Sequence, residues 1–308
     1  MEHQIRFPHL GIVLKNVGDG INIGGFEIKY YGMIIATGFL LGLIVSYYAA
    51  KHENKFDPEL VCDYLITMII PAIVGARLYY VIFSWDYYKN HLNELLNIRQ
   101  GGIAIYGAVI GGFLTLLVFC KIRKQNFFLI SDIAVLGLLV GQIMGRWGNF
   151  TNREVFGHYT DSLFAMRLPI EAVRSADITP DIAAHITDGI NYIQVHPTFL
   201  YESVLNLLLL IVLLLYTKHK KFNGEIALGY LGGYGIIRFF VEGIRTDQLK
   251  IGSTGIAVSQ LLGMVLFIAA ILTDVIVRIY RRKKGLQELP QKAAIVQNKV
   301  ENGEKQDE

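Results

Sequence analysis

Cysteine is nearly missing from this chain of 308 residues, which holds only Cys62 and Cys120. Two such residues make neither a metal-ligand spacing nor a disulfide framework. Both read as small apolar fillers. Charge is scarce as well. Asp, Glu, Lys and Arg together reach 18%, where soluble domains carry about 25%. The formal net charge is only +3, and the basic residues are scattered among short segments. That excludes a nucleic-acid footprint, so no nucleic acid is expected as a partner. The opening stretch "MEHQIRFPHLGIVLKNVGDG" lacks the apolar core of a cleaved signal peptide. The first apolar run is therefore expected to act as its own insertion signal. No long internal repeat is visible. The histidines form no ligand set, and neither a metal nor a cofactor is implied.

Long apolar runs are what the chain has instead. Hydrophobic residues make up 53%, and the runs approach ~20 residues, the length that crosses a bilayer core as a helix. A β-barrel would need short alternating segments. The expected fold class is all-α, a polytopic membrane protein with seven transmembrane helices and a small extracytoplasmic cap. The spans are expected at 28–49, 60–83, 103–120, 127–147, 196–216, 224–243 and 255–280. Residues 1–27 then form an N-terminal arm, and 28–280 the transmembrane catalytic domain. Within it, 148–195 forms a folded cap insertion. Residues 281–308 read as a polar, disordered tail.

Loop charge sets the orientation. "KHENK", "KIRKQ", "TKHKK" and "RIYRRKK" follow spans one, three, five and seven. By the positive-inside rule these ends are cytoplasmic. The N-terminus and the 148–195 insertion then lie outside, and the C-terminus inside.

Charge within a span is costly and points to function. Placed by depth, the polar residues gather in the outer half: Tyr30, Tyr31, Arg77, Tyr106, Gln142, Arg146, His196, Glu202, Ser203, Tyr234, Arg238, Glu242, Ser259 and Gln260. Asp63, Asp132, Glu225 and Asp274 are expected at the inner loop ends, within reach of water. Tyr234, Arg238 and Glu242 are spaced i, i+4, i+8 and share one helix face, with Arg245 near it. The Arg238–Glu242 pair lowers the cost of each charge. It serves either a site or a structural lock between helices. Arginine's planar fork suits phosphate, so one outward-opening cavity reads as a lipid headgroup site. A membrane lipid or solute transporter is the alternative, but it would carry polar groups through the whole thickness. A retinal receptor would need a lysine in 255–280, and there is none.

The stretch "GRWGNFTNREVFG", residues 145–157, resembles the G-R-x-G-N-F-x-N-x-E-x-x-G signature of the prolipoprotein diacylglyceryl transferase family. "YYGMI", "GARLYYV", "GGIAIYGAVIGG", "HPTFLYES" and "GYGIIRFFVEGIRTD" resemble family segments in the same order. The resemblance covers about residues 28–270. It implies a bacterial seven-span enzyme with its site on the outer side of the inner membrane. Such an enzyme moves the diacylglyceryl group of phosphatidylglycerol to the lipobox cysteine thiol of a prolipoprotein and releases glycerol 1-phosphate. The partners implied are phosphatidylglycerol, the lipobox segment and the bilayer.

Carried over by motif, Arg146, Asn149, Asn152, Glu154 and Gly157 match the signature. Arg146 and Arg238 match arginines held essential in the family. Tyr31, His196 and Tyr234 match further positions. Arg146 and Arg238 are expected to stabilise charge on the departing phosphate, with Arg77 and Arg245 as further binding candidates. Asn149 and Asn152 orient either glycerol hydroxyls or the motif's own turn, and Glu154 positions an arginine. Many members carry histidine where this chain has Tyr106. A tyrosine, with an ordinary pKa of about 10, is a poor base at neutral pH. Either the base is elsewhere or Tyr106 binds and orients. His196 is a second base candidate, or a cap at the helix mouth. The nucleophile is a thiolate. Cys62 and Cys120 map to cytoplasmic span ends, so the thiol is expected from the partner protein.

Overall fold

The structure is a computed structural model describing residues 4–53, 56–98, 101–186, 189, 191–252 and 255–286. Most of the expected tail, 287–308, lies outside the described residues. Ten helices run along the described chain: α1 (Tyr30–Lys51), α2 (Glu59–Thr67), α3 (Ile69–Phe83), α4 (Trp85–Tyr88), α5 (Ile105–Ile122), α6 (Phe127–Asn152), α7 (Pro180–Ala183), α8 (Thr198–Tyr216), α9 (Glu225–Ile244) and α10 (Val258–Lys283). Six stretches are long and apolar enough to cross a membrane: α1, α2 with α3, α5, α6, α8 continued to His219, and α10. The protein is a polytopic, predominantly helical membrane protein. The segment expected as the sixth span is present as α9 but is not among those six, because Arg238, Glu242 and five glycines dilute its hydropathy.

The chain divides into two compact units, residues 1–42 with 135–308, and residues 43–134. In the smaller unit, α2 and α3 break at Met68. Pro71 causes this, because it has no N–H to return to the carbonyl four residues back. Helices α3 and α5 cross at glycines. A Cβ on Gly107 would lie 2.1 Å from the Gly75 carbonyl oxygen and 2.6 Å from Tyr79 Cβ. Without solvent to drive apolar association, such backbone-to-backbone packing is what holds membrane helices together. Arg77 is buried and binds main chain only. It donates to the carbonyls of Glu94, Leu95, Gly101 and Gly102 at 2.6, 2.8, 3.2 and 2.7 Å, and lies over the Tyr88 ring.

The larger unit adds a small β layer. Strands β1 (Ile5–Phe7), β2 (Ile12–Leu14), β5 (Met166–Pro169) and β6 (Tyr192–Val195) form an antiparallel sheet in the order β2-β1-β5-β6. Thus the expected arm and the expected cap insertion contribute to the same sheet. Ile5 and Phe7 alternate inward with Arg6 outward, the period-two pattern of a half-buried strand. They pack with Phe156, Met166, Leu168, Ile182, Ile193, Val195 and Phe199. A hairpin, β3 (Gly20–Ile23) and β4 (Phe26–Lys29), leads into α1. Its turn residues, Gly24 and Gly25, both have positive φ, as a two-residue type I′ turn requires.

Helices α9 and α10 cross where Gly235 and Gly263 face one another. A Cβ on either would lie 2.5 Å from the other's carbonyl oxygen. Two acids expected within reach of water are instead buried, Asp132 at 2% and Glu225 at 4% exposure. Glu225 accepts from Tyr216 Oη at 2.7 Å and pairs with Arg278. A charge at a helix end turns inward when a partner on another helix meets it there.

Gly107→Ala is expected to destabilise the protein by about 1–3 kcal/mol through overpacking. Gly32→Ala, with nothing near its Cβ position, should change stability by less than about 0.5 kcal/mol. Thermal unfolding in detergent distinguishes the two.

Candidate active site

Three helices of the larger unit bring their charged residues to one point. Glu202, in the second turn of α8, is only 1% exposed. Its Oε1 accepts a hydrogen bond from Arg146 Nη2 of α6 at 2.7 Å. Its Oε2 accepts one from Arg238 Nη1 of α9 at 3.0 Å. Two guanidiniums from separate helices thus share one carboxylate. Arg238 also pairs with Glu242 one turn along α9. Tyr234 Oη donates to Glu202 at 3.4 Å, so the i, i+4, i+8 set faces this centre. Arg245 approaches Glu242 at 3.6 Å and grips Asp247 at 2.9 and 2.8 Å.

The signature segment feeds the same network. Arg146 Nη1 donates to Asn149 Oδ1 at 3.3 Å, and Asn149 Nδ2 donates to Glu154 Oε1 at 2.9 Å. Asn152 Nδ2 reaches the same oxygen at 3.4 Å. To present Glu154, the chain leaves α6 through two left-handed residues, Arg153 at φ 53° and Val155 at φ 60°. Left-handed backbone is strained for a β-branched residue and persists only where the surroundings impose it. Here Glu154 N–H bonds to the Asn149 carbonyl at 3.1 Å, Arg153 to the Val17 carbonyl, and the Thr198 hydroxyl to the Val155 carbonyl.

Main-chain bridges then join three helix ends. Gly157 N–H bonds to the His196 carbonyl at 3.0 Å, and His158 N–H to the Ile244 carbonyl at 2.9 Å. Gly157 must be glycine, because a Cβ would lie 2.7 Å from the Ile244 oxygen and 2.8 Å from His196 Cβ. At Gly148 a Cβ would meet the Tyr31 ring at 2.7 Å, so Tyr31 packs directly on the signature helix. His196 Nδ1 lies 3.2 Å from Tyr201 Oη. Burial, reinforced by nearby His158, holds its imidazole below the usual histidine pKa.

Among the expected residues, Arg146, Asn149, Asn152, Glu154, Tyr234, Arg238, Glu242 and Arg245 therefore join one network, with Tyr31, Gly157 and His196 packed at its edge. Arg77 and Tyr106 belong to the smaller unit. Arg77 is engaged by carbonyls there. Tyr106 stands in the first turn of α5, 42% exposed, near the Tyr79 ring at 6.1 Å. Glu202 was not among the residues expected to form the site. Its signal was its place among the polar residues of the outer half, as the only charged residue of α8. Among the described residues, no group of His, Cys, Asp or Glu side chains is arranged to hold a metal.

A buried centre of paired arginines and carboxylates in a bundle of apolar helices defines the class: a polytopic membrane protein with a charged interior site. Residues 20–276 match the family described as prolipoprotein diacylglyceryl transferase. Relatives named phosphatidylglycerol–prolipoprotein diacylglyceryl transferase share this likeness. One from Listeria monocytogenes serotype 4b is 42% identical over 264 residues, covering 86% of this chain and 89% of the relative. One from Finegoldia magna is 40% identical over 255 residues, covering 82% and 93%. One from Limosilactobacillus reuteri is 42% identical over 271 residues, covering 85% and 90%. The chain belongs to the prolipoprotein diacylglyceryl transferase family, and it is a transferase.

Two outcomes follow for stability. Glu202→Gln leaves two buried cations without their shared anion and should cost about 3–5 kcal/mol, seen as a lower melting temperature in detergent. For His196, the unfolded chain takes up the proton first as pH falls, so stability declines below about pH 6.5 toward the lower folded-state value. His196→Gln should flatten that part of the stability–pH curve.

Proposed function

We propose that this protein transfers the diacylglyceryl group of phosphatidylglycerol to the lipobox cysteine thiol of a prolipoprotein. Sulfur attacks the glycerol carbon that carries the phosphate. A C–S bond forms and the C–O bond breaks, with its electron pair leaving on a phosphate oxygen as glycerol 1-phosphate. The thiol proton passes to the leaving phosphate, directly or through an acceptor. The observation that carries this reading is the convergence of Arg146 and Arg238 on the two oxygens of Glu202. Each guanidinium has five N–H groups, and the contacts to Glu202, Asn149 and Glu242 use only part of them. The rest can meet phosphate oxygens as charge grows there, in a setting where fixed donors are most effective. Glu202 sets the spacing of the two arginines, and Asn149 with Glu154 holds Arg146 in place. The substrate thiol comes from the prolipoprotein, because Cys62 and Cys120 both map to the cytoplasmic ends of their spans in this topology.

The topology in this reading has seven spans, counting α9 despite its charges. The N-terminus and the sheet-bearing insertion lie outside the bacterial inner membrane. The basic ends of α1, α5, α8 and α10 face the cytoplasm. Residues 1–27 and 148–195 build the outer cap over the 28–280 catalytic domain.

Purified protein given phosphatidylglycerol and a lipobox peptide should yield a diacylglyceryl-thioether peptide. Arg146→Gln and Arg238→Gln should each lower kcat by about 10²–10³ in protein that remains folded, and normal turnover in both would refute the assignment. Tyr106→Phe should cost less than about tenfold, because a phenol is a poor base at neutral pH. A larger loss would give its hydroxyl a proton-transfer role.

A further inference from the structure

A second charged cluster sits at the other end of α9. Glu225 opens that helix, and Arg238 follows about 20 Å along the axis at about 1.5 Å per residue. Beside Glu225 is an open pocket of about 540 Å³, lined by Lys221, Phe222, Arg278, Arg281 and Arg282 and bordered by the Gly285–Leu286 turn. Its described lining has four basic side chains and no acidic one. Arg278, Arg281 and Arg282 are spaced i, i+3, i+4 and share a face of α10. Lys221 arrives from the connection between α8 and α9.

The cluster is held in place before any ligand binds. Arg278 donates to Asp274 at 2.7 Å and pairs with Glu225. Its guanidinium and that of Arg281 lie 5.9 and 6.0 Å from the centre of the buried Phe222 ring. The wall is a Schellman turn, with Gly285 at φ 61°, Gly285 N–H bonded to the Arg282 carbonyl and Leu286 N–H to the Arg281 carbonyl. Cations near the C-terminal end of a helix suit its dipole. That accounts for their presence but not for their convergence on one cavity with a residue from another segment.

The neighbouring surface is apolar. Leu272, Val275 and Ile279 are 56, 46 and 50% exposed and lead along α10 to Arg282 at helical spacing. A cationic pocket at the head of an apolar stripe fits a phospholipid with an anionic headgroup. Basic pockets between membrane helices take such headgroups. We propose that this cavity binds the phosphate headgroup of an anionic phospholipid, with its acyl chains along Leu272, Val275 and Ile279, at a site separate from the Glu202 centre.

The test titrates dioleoyl phosphatidic acid into the full chain in neutral detergent and counts bound lipid by native mass spectrometry. Arg281→Gln/Arg282→Gln should weaken binding about tenfold or more, and Arg281→Lys/Arg282→Lys should restore most of it. Equal binding in wild type and the Gln pair would overturn the proposal. So would loss of binding in Arg238→Gln alone, which would put the lipid at the Glu202 centre. Displacement of the lipid by millimolar inorganic phosphate would overturn it too, by assigning the cavity to free phosphate. Binding is read without any transfer assay, so failure of this site and failure of the transferase reading are told apart.

Discussion

Two arginines on separate helices would repel if they faced one another alone, and Glu202 prevents this by giving each of them one oxygen. Removing charges from water is expensive, and only close geometry with further hydrogen bonds repays it. The rest of the larger unit supplies that geometry. Tyr234 adds a bond to the carboxylate, Glu242 holds the far side of Arg238, and Asn149 holds Arg146. The helices carrying these groups are in turn fixed by side-chain contacts such as Trp147 Nε1 to Ser203 Oγ at 3.2 Å. The site is thus a consequence of how α6, α8 and α9 cross, more than of any single motif.

Much of this was legible before any coordinates. The apolar runs located the long helices, and the signature segment and the Tyr234–Arg238–Glu242 spacing located the charged face of α9. Glu202 was harder to place, because its partners lie 56 and 36 residues away in the chain. Its depth marked it as one polar group of the outer half, but nothing local shows which distant helices will claim its oxygens. Arg77 shows the same blindness from the other side. Its partners are carbonyls, which every residue has, so no pattern announces them. By donating to four main-chain carbonyls, it ties the irregular connection before α5 back to α3.

Strand-like pieces were visible in the 148–195 insertion, but the strands of the arm and the pairing of the sheet were hidden. Strands β1, β2, β5 and β6 are three or four residues long, too short for alternation to stand out from noise, and β1 pairs with a strand some 160 residues later. The burial of Glu225 escaped for a related reason. A charge near a loop reads as solvated until Arg278 of another helix is seen to meet it.

The bridges from Gly157 to His196, His158 to Ile244 and Thr246 to Phe156 join the ends of α6, α8 and α9 through main chain alone. Segments tied in this way open as one cooperative unit. Amide exchange at these positions would therefore report a single concerted event. The charged groups are thereby mounted beside a frame whose own hydrogen bonds come from main chain rather than from charged side chains.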